Sequence, residues 1–206
     1  DLVMVERGLA GTREAARALI LAGKVSLPGS GRARPTAGMM TAADAEIVVE
    51  PAPRYVSRGG EKLAHALAAF GIDPSGMTAL DVGASTGGFT DCLLGAGARR
   101  VYAVDVGRGQ LDAKLRRDPR VAVLERVNAR YPYELPECAD LAVIDVSFIS
   151  ARLVIPAALA HLRPRGCAVV LIKPQFEAGR GEVGKGGVIR DPRMHALVLA
   201  RFVAWA

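Results

Sequence analysis

The sequence predicts an α/β fold on a doubly wound, mostly parallel sheet, preceded by a small α+β module. Three observations carry that expectation. Apolar runs at Thr78 to Val82, Val101 to Asp105, Val121 to Leu124, Leu141 to Asp145 and Ala168 to Lys173 alternate with helical patterns, and strands apolar on both faces are what a parallel sheet covered by helices requires. A glycine-rich turn, Gly83-Ala84-Ser85-Thr86-Gly87-Gly88, follows the first run and opens a helix. Asp81, Asp105, Asp145 and Lys173 fall at the carboxyl ends of four runs, the side of such sheets on which ligands bind.

Taken in order, Thr12 caps a helix over Arg13 to Ala22 that Gly23 closes, with Ala16, Leu19 and Ile20 on its apolar face and Arg13 and Arg17 on the other. A strand at Lys24 to Leu27, a turn from Pro28 to Pro35 and an alternating strand at Ala45 to Glu50 complete the module, and Pro51-Ala52-Pro53 breaks the chain. The expected division is residues 1–53 as one domain, 54–60 as linker and 61–206 as a second domain. Leu63, Ala66, Leu67 and Phe70 recur at helical spacing before Gly71, with Lys62 and His65 off that stripe. A last helix begins after Pro192 and still runs at Trp205-Ala206. A seven-stranded sheet would need two more strands, so the sequence reads as cut short at its end, and its start lacks an initiator Met.

The chain has 206 residues, half of them hydrophobic, enough for one sizeable core plus a satellite. Its longest apolar runs fall well short of the roughly 18 residues that span a bilayer. Asp1-Leu2-Val3-Met4-Val5-Glu6 has no basic start or long apolar region of a signal peptide. A cytoplasmic protein without stable membrane association is therefore expected. Cys92, Cys138 and Cys167 are odd in number and widely spaced; they read as core thiols, with neither a disulfide framework nor a metal site expected. The net charge is +6, and Arg99 to Arg130 alone holds nine Lys or Arg against four Asp or Glu. That surplus favours a nucleic-acid partner over a merely solvated basic face.

The glycine turn reads G-x-x-x-G-G, whereas a pyrophosphate-binding turn reads G-x-G-x-x-G. Asp81, two residues before Gly83, would repel a pyrophosphate but suits a cofactor carrying an amino group and positive charge, such as S-adenosylmethionine. Asp105 ends the next strand about twenty residues on, the offset at which a carboxylate meets ribose hydroxyls. That ribose is common to NAD and S-adenosylmethionine, so spacing and Asp81 are what count against an NAD dehydrogenase.

Val56-Ser57-Arg58-Gly59-Gly60-Glu61-Lys62-Leu63, Asp81 to Thr90, Asp145-Val146-Ser147-Phe148-Ile149-Ser150 and Lys173-Pro174-Gln175-Phe176-Glu177 together resemble the haemolysin-A (TlyA-type) family of ribosomal RNA 2′-O-methyltransferases, with an FtsJ-like catalytic domain. Arg7 to Lys24 is similar to the S-four-type RNA-binding module that the family carries at its N-terminus. The resemblance implies a class I, Rossmann-like methyltransferase sheet, S-adenosyl-L-methionine as donor, and ribose hydroxyls of ribosomal RNA in ribosomal subunits as acceptors. FtsJ-like enzymes use a Lys-Asp-Lys-Glu tetrad, whose first three members match Lys62, Asp145 and Lys173; the fourth has no counterpart before residue 206, and Glu177 is not assigned to it. The residues expected to hold the cofactor are Asp81, Gly83, Ser85, Thr86, Gly87, Gly88, Phe89, Asp105, Asn128 and Asp145. Those expected to meet RNA are Arg7, Arg13, Arg17, Lys24, Arg58 and Lys185, the last in a glycine-rich loop from Gly179 to Gly187 that is read as closing over the RNA. Asn128 can equally form a turn.

Methyl transfer from a sulfonium has a good leaving group, so the protein mainly positions the reactants and helps the 2′-hydroxyl lose its proton. Lys173 is the expected base. A free lysine titrates near pKa ~10.4 and would need to move down about three units to act as a neutral base; Lys62 favours that shift and Asp145 opposes it while orienting the amine. The other account keeps Lys173 charged to stabilise the developing alkoxide. A non-catalytic RNA-binding protein and a membrane-active haemolysin stand as rival functions.

Overall fold

The structure is a computed structural model that describes residues 1–29, 34–42, 44–51, 53–179, 181–184 and 186–206. It divides into two units, Asp1–Pro53 and Arg54–Ala206. Lys185 lies outside the described residues.

In the first unit, helices α1 (Leu2–Glu6) and α2 (Arg13–Leu21) precede a two-stranded antiparallel ribbon of β1 (Val25–Ser26) and β2 (Val48–Val49). Thr12 is extended and its Oγ1 accepts a hydrogen bond from Ala15 N at 3.1 Å, which starts α2 where the sequence places it. Both strands are shorter than the runs that predicted them. Val25 stands opposite Val49, and Glu50 N donates to Lys24 O at 2.7 Å just beyond the ribbon. The unexpected element is α1, which has five residues and no side-chain cap. So short a helix is marginal alone; burial of Met4 against Ala16, Ile20 and Val25 holds it.

The second unit opens with Arg54 to Arg58 and α3 (Gly59–Phe70). The expected linker at 54–60 is here part of this unit. Tyr55 is buried in the core, and a Cβ on Gly60 would come within 2.3 Å of the Tyr55 ring. Gly60 is therefore a close-packing position, and α3 starts two residues before the expected domain edge.

Strands β3 (Thr78–Val82), β4 (Arg100–Asp105), β5 (Val121–Glu125), β6 (Ala139–Ile144) and β7 (Leu162–Val170) form one parallel sheet in the order β5-β4-β3-β6-β7. The strand order reverses at β3, which puts a crevice at the carboxyl ends of β3, β4 and β6. All five residues of β3 are buried. Leu63, Leu67, Phe89 and Leu93 pack on one face of the sheet, and Val154, Ile155, Ala158 and Phe202 on the other. With α3, the face-covering helices are α4 (Gly88–Gly95), α5 (Ala113–Arg117), α6 (Ile155–Leu159) and α8 (Pro192–Trp205). Val198 and Phe202 are the buried residues of α8.

The last strand departs from expectation. It runs over Leu162–Val170 rather than 168–173, because Leu162 pairs with Ala139 but Cys167 pairs with Leu141, with three extra residues on β7 between the pairs. Arg165 within that irregularity takes φ +69°. Leu171 N still donates to Ile144 O at 2.9 Å, after which Pro174 removes a donor and begins α7 (Pro174–Glu177). Lys173 therefore stands at the N-cap of α7 rather than in the strand. Cys92 is buried, but Cys138 and Cys167 are exposed, which corrects the reading of three core thiols: Cys138 precedes β6, and Cys167 lies on the edge strand.

Candidate active site

Two clefts meet at the carboxyl end of the sheet. The first, about 320 Å³, is lined by Gly83 and Ser85 of the glycine turn, Asp105 and Gln110, Val127 and Asn128, and Asp145 to Ile149. The second, about 280 Å³, is lined by Arg58, Lys62, Thr86, Gly88, Phe89 and Lys173. Gly83, Ser85, Asp145 and Ser147 belong to both. One cleft is mixed apolar and polar; the other gathers three cations around one carboxylate.

The turn geometry follows from its glycines at two positions. Gly83 has φ +85°, and a Cβ there would lie 2.6 Å from the Asp145 carbonyl oxygen. The ends of β3 and β6 thus approach as closely as backbone allows. Gly87 has φ +96°, and its Cβ would strike Leu115 at 2.3 Å. Gly87 lines neither cleft; its lack of a Cβ lets the turn pack against α5.

Asp105 is positioned by its neighbours. Its Oδ2 accepts from Ser85 N at 2.8 Å and its Oδ1 from Gly107 N at 2.6 Å. Each carboxylate oxygen has further acceptor capacity, so the group can hold the turn and still meet two hydroxyls. Asn128 Oδ1 accepts from Arg130 N at 3.2 Å. It therefore forms a turn and lines the first cleft at once.

Lys173 Nζ lies 2.5 Å from Asp145 Oδ1 and donates to Ser147 Oγ at 2.6 Å. The Asp145 contact is an ion pair lacking the angular geometry of a hydrogen bond. Both members of the pair are one-fifth exposed, so the pair is only partly desolvated. Lys62, from the first turn and a half of α3, lines the same cleft. The sequence set Lys62, Asp145 and Lys173 is thus brought together, from three segments spread over more than a hundred residues of chain. Glu177 is not with them. Its carboxylate accepts from Ser150 Oγ at 2.6 Å and Ala151 N at 2.7 Å, tying α7 to the segment after β6.

Asp81 is placed differently from its expected role. It is fully buried in β3, lines neither cleft, and accepts from Thr90 Oγ1 at 2.6 Å through Oδ2. Its Oδ1 is buried without a hydrogen-bond partner among the described residues. Burial pushes its carboxyl up to about 7, against a smaller opposing effect of the Thr90 hydrogen bonds. Below about pH 3 both folded and unfolded chains hold the proton and the group is neutral to stability. Between pH 4 and 7 the unfolded chain ionises while the folded one resists, so stability falls as pH rises, and above 7 the loss is complete. Asp81→Asn is expected to unfold at the wild-type urea midpoint near pH ~3 and at a higher midpoint at pH ~8, the gain being at most about 4 kcal/mol. Equal midpoints at pH 8 would contradict this.

Among the expected RNA contacts, Arg58 lines the second cleft. Arg17 Nε lies 2.6 Å and Arg13 3.4 Å from Asp1, Lys24 pairs with Glu50 at 2.8 Å, and Arg7 donates to Ala45 O at 2.6 Å. The basic run is partly neutralised in the same way: Lys114 pairs with Asp91, Arg116 with Glu125, Arg120 with Asp118 and Arg99 with Glu137. Several site residues escaped sequence reasoning. Gln110, to which Ser85 Oγ donates at 3.3 Å, carries no local signal. Ser147 and Phe148 stood in a quoted motif, and Phe148, with φ +64° and 92% exposed, is marked only by its conformation.

Residues 55–206 match the FtsJ-like methyltransferase family. The chain is 47% identical to the 16S/23S rRNA (cytidine-2′-O)-methyltransferase TlyA of Mycobacterium tuberculosis over 95% of its length and 74% of that protein. It is 49% identical to hemolysin A of Brachyspira hyodysenteriae over 71% of the chain and 62% of that protein. A solved structure from Streptococcus thermophilus, provisionally called a hemolysin, matches 100% of the chain and 76% of its own, with a TM-score of 0.74 and 42% identity. A parallel α/β sheet with a glycine turn at its switch point, matched over three-quarters of its length by one family and by relatives of that kind, makes this chain a methyltransferase belonging to the FtsJ-like family.

Proposed function

We propose that the chain methylates ribose 2′-hydroxyls of ribosomal RNA, with S-adenosyl-L-methionine as donor and Lys173 as the base. The observation that carries this reading is the meeting of Lys62, Asp145 and Lys173 in a cationic cleft that shares Asp145 and Ser147 with the cofactor-sized cleft beside it. Arg58 and Lys62 suit the phosphates flanking a ribose. Lys173 stands where a hydroxyl in that cleft could pass it a proton, and Asp145 orients the amine.

The residues fit the donor. Asp105 offers a carboxylate to ribose hydroxyls, Val127 and Asn128 flank the place of an adenine, and Gly83 brings backbone to the wall of the cleft while packing against Asp145. Asp81 acts from behind the turn, where its hydrogen bond with Thr90 ties β3 to the helix that the turn opens. When bound, the donor supplies an electrophilic methyl group on a sulfonium. The first unit is read as an RNA-binding module, with Arg7, Arg13, Arg17 and Lys24 as its basic residues, and the protein as one that works on ribosomal subunits in the cytoplasm. The TlyA relative's name, which specifies cytidine 2′-O-methylation of 16S and 23S rRNA, supports this substrate class. Incubating isolated subunits with the protein and labelled donor is expected to transfer label to ribosomal RNA. Donor binding without label on either subunit would favour a non-catalytic RNA-binding protein and overturn the proposal.

A further inference from the structure

The segment after β6 and the start of α7 are joined at three successive points. Lys173 Nζ reaches Asp145 Oδ1 and Ser147 Oγ. The rings of Phe148 and Phe176 lie 5.4 Å apart. Glu177, with a side chain only 2% exposed, accepts from Ser150 Oγ and Ala151 N. These ties hold a segment that bends through φ +64° at Phe148, a conformation that costs of order 1–3 kcal/mol and persists only where its surroundings fix it. The bend sets the place of the residue just before it, Ser147, which is itself solvent-accessible and is shared by both clefts.

A lysine amine has three positions around nitrogen besides its own carbon. The Ser147 hydroxyl takes one as a directed hydrogen bond, and the Asp145 carboxylate crowds a second at 2.5 Å without hydrogen-bond angles. We infer that Ser147 is a positioning residue for Lys173: its hydroxyl fixes the rotation of the amine so that the third position faces the cleft lined by Arg58 and Lys62. The Asp145 contact alone cannot do this, since it lacks the direction of a hydrogen bond and leaves the amine free to turn. Ser147 acts through Lys173, and the inference rests on the reading of Lys173 as the base. It needs the hydroxyl oxygen, not merely a small side chain, and that is what separates it from a role in shaping the segment.

The test is steady-state methyl transfer to ribosomal subunits by the full chain. Ser147→Ala is expected to lower kcat about tenfold through misplacement of the amine, with KM for donor and for subunits unchanged within twofold. Ser147→Thr, which restores the hydroxyl, is expected to recover kcat to within threefold of wild type. Wild-type kcat in Ser147→Ala overturns the inference. So does an equal loss in the alanine and threonine variants, or a loss carried by KM, since either outcome assigns Ser147 to the shape of the segment. Lys173→Ala run alongside separates the two claims: if it keeps wild-type kcat, the reading of Lys173 fails; if it is inactive while Ser147→Ala is normal, only the role of Ser147 fails.

Discussion

Lys173→Ala is expected to lower kcat for methyl transfer by about a thousandfold, within the range general base catalysis contributes, while donor affinity changes by less than threefold. The asymmetry follows from placement. Lys173 lines the cationic cleft and not the one beside it, so its removal leaves Asp105, Asn128 and the glycine turn intact. The carboxylate left behind is only partly buried, so Asp145 regains water and the fold loses little. Lys173→Arg is expected to be nearly as inactive: guanidinium stays charged at any usable pH and cannot serve as a base. Should the arginine variant keep a tenth or more of wild-type kcat, Lys173 would instead be a charge that stabilises the alkoxide. Calorimetric donor titration beside single-turnover transfer measures both quantities.

Gly83→Ala is expected to have the second large effect, on donor binding. The added Cβ would sit 2.6 Å from the Asp145 carbonyl oxygen and 3.3 Å from Val146, at φ +85°. Backbone must move, because the atom the Cβ meets belongs to the main chain rather than to the end of a flexible side chain. Gly83 N donates to Val104 O at 2.9 Å and Asp145 N to Val82 O at 3.0 Å, so the displacement pulls on both bonds that close the strand ends. Donor affinity should fall at least a hundredfold, and the strain of about 1–3 kcal/mol should lower Tm by several degrees, at roughly 2–4 °C per kcal/mol for a chain of this size. Gly95→Ala is the control. Nothing lies within 4 Å of its Cβ position, and alanine in a helix is no worse than glycine. Donor affinity of Gly83→Ala within threefold of wild type would contradict the close approach.

The parts of this fold legible in sequence are those governed by local periodicity. Five apolar runs gave five strands, and Thr12 and Gly71 marked helix ends at Arg13 and Phe70. What escaped was set by distant contacts. Helix α1 exists because Met4 is buried, not because five residues favour a helix. The register of β7 depends on three extra residues that no apolar pattern announces. The site divides in the same way. Lys62, Asp145 and Lys173 were readable because each sits in a distinctive motif, and the structure brings them to one cleft. Asp81 was readable as an acid before a glycine turn but not as a buried one, since burial depends on Thr90 and on helix α4 covering the strand. Gln110 enters the site only when the segment after β4 folds back onto Ser85.

The 2′-oxygen as acceptor is most directly tested by mass-spectrometric mapping of ribosomal RNA after incubation of each subunit with the full chain and labelled donor. Methyl groups on ribose are expected, at a site that becomes resistant to alkaline cleavage, if Lys173, the proposed base, takes a proton from a hydroxyl in the cleft lined by Arg58 and Lys62. Methyl groups found on base atoms would contradict the hydroxyl chemistry assigned to Lys173 while leaving a methyltransferase.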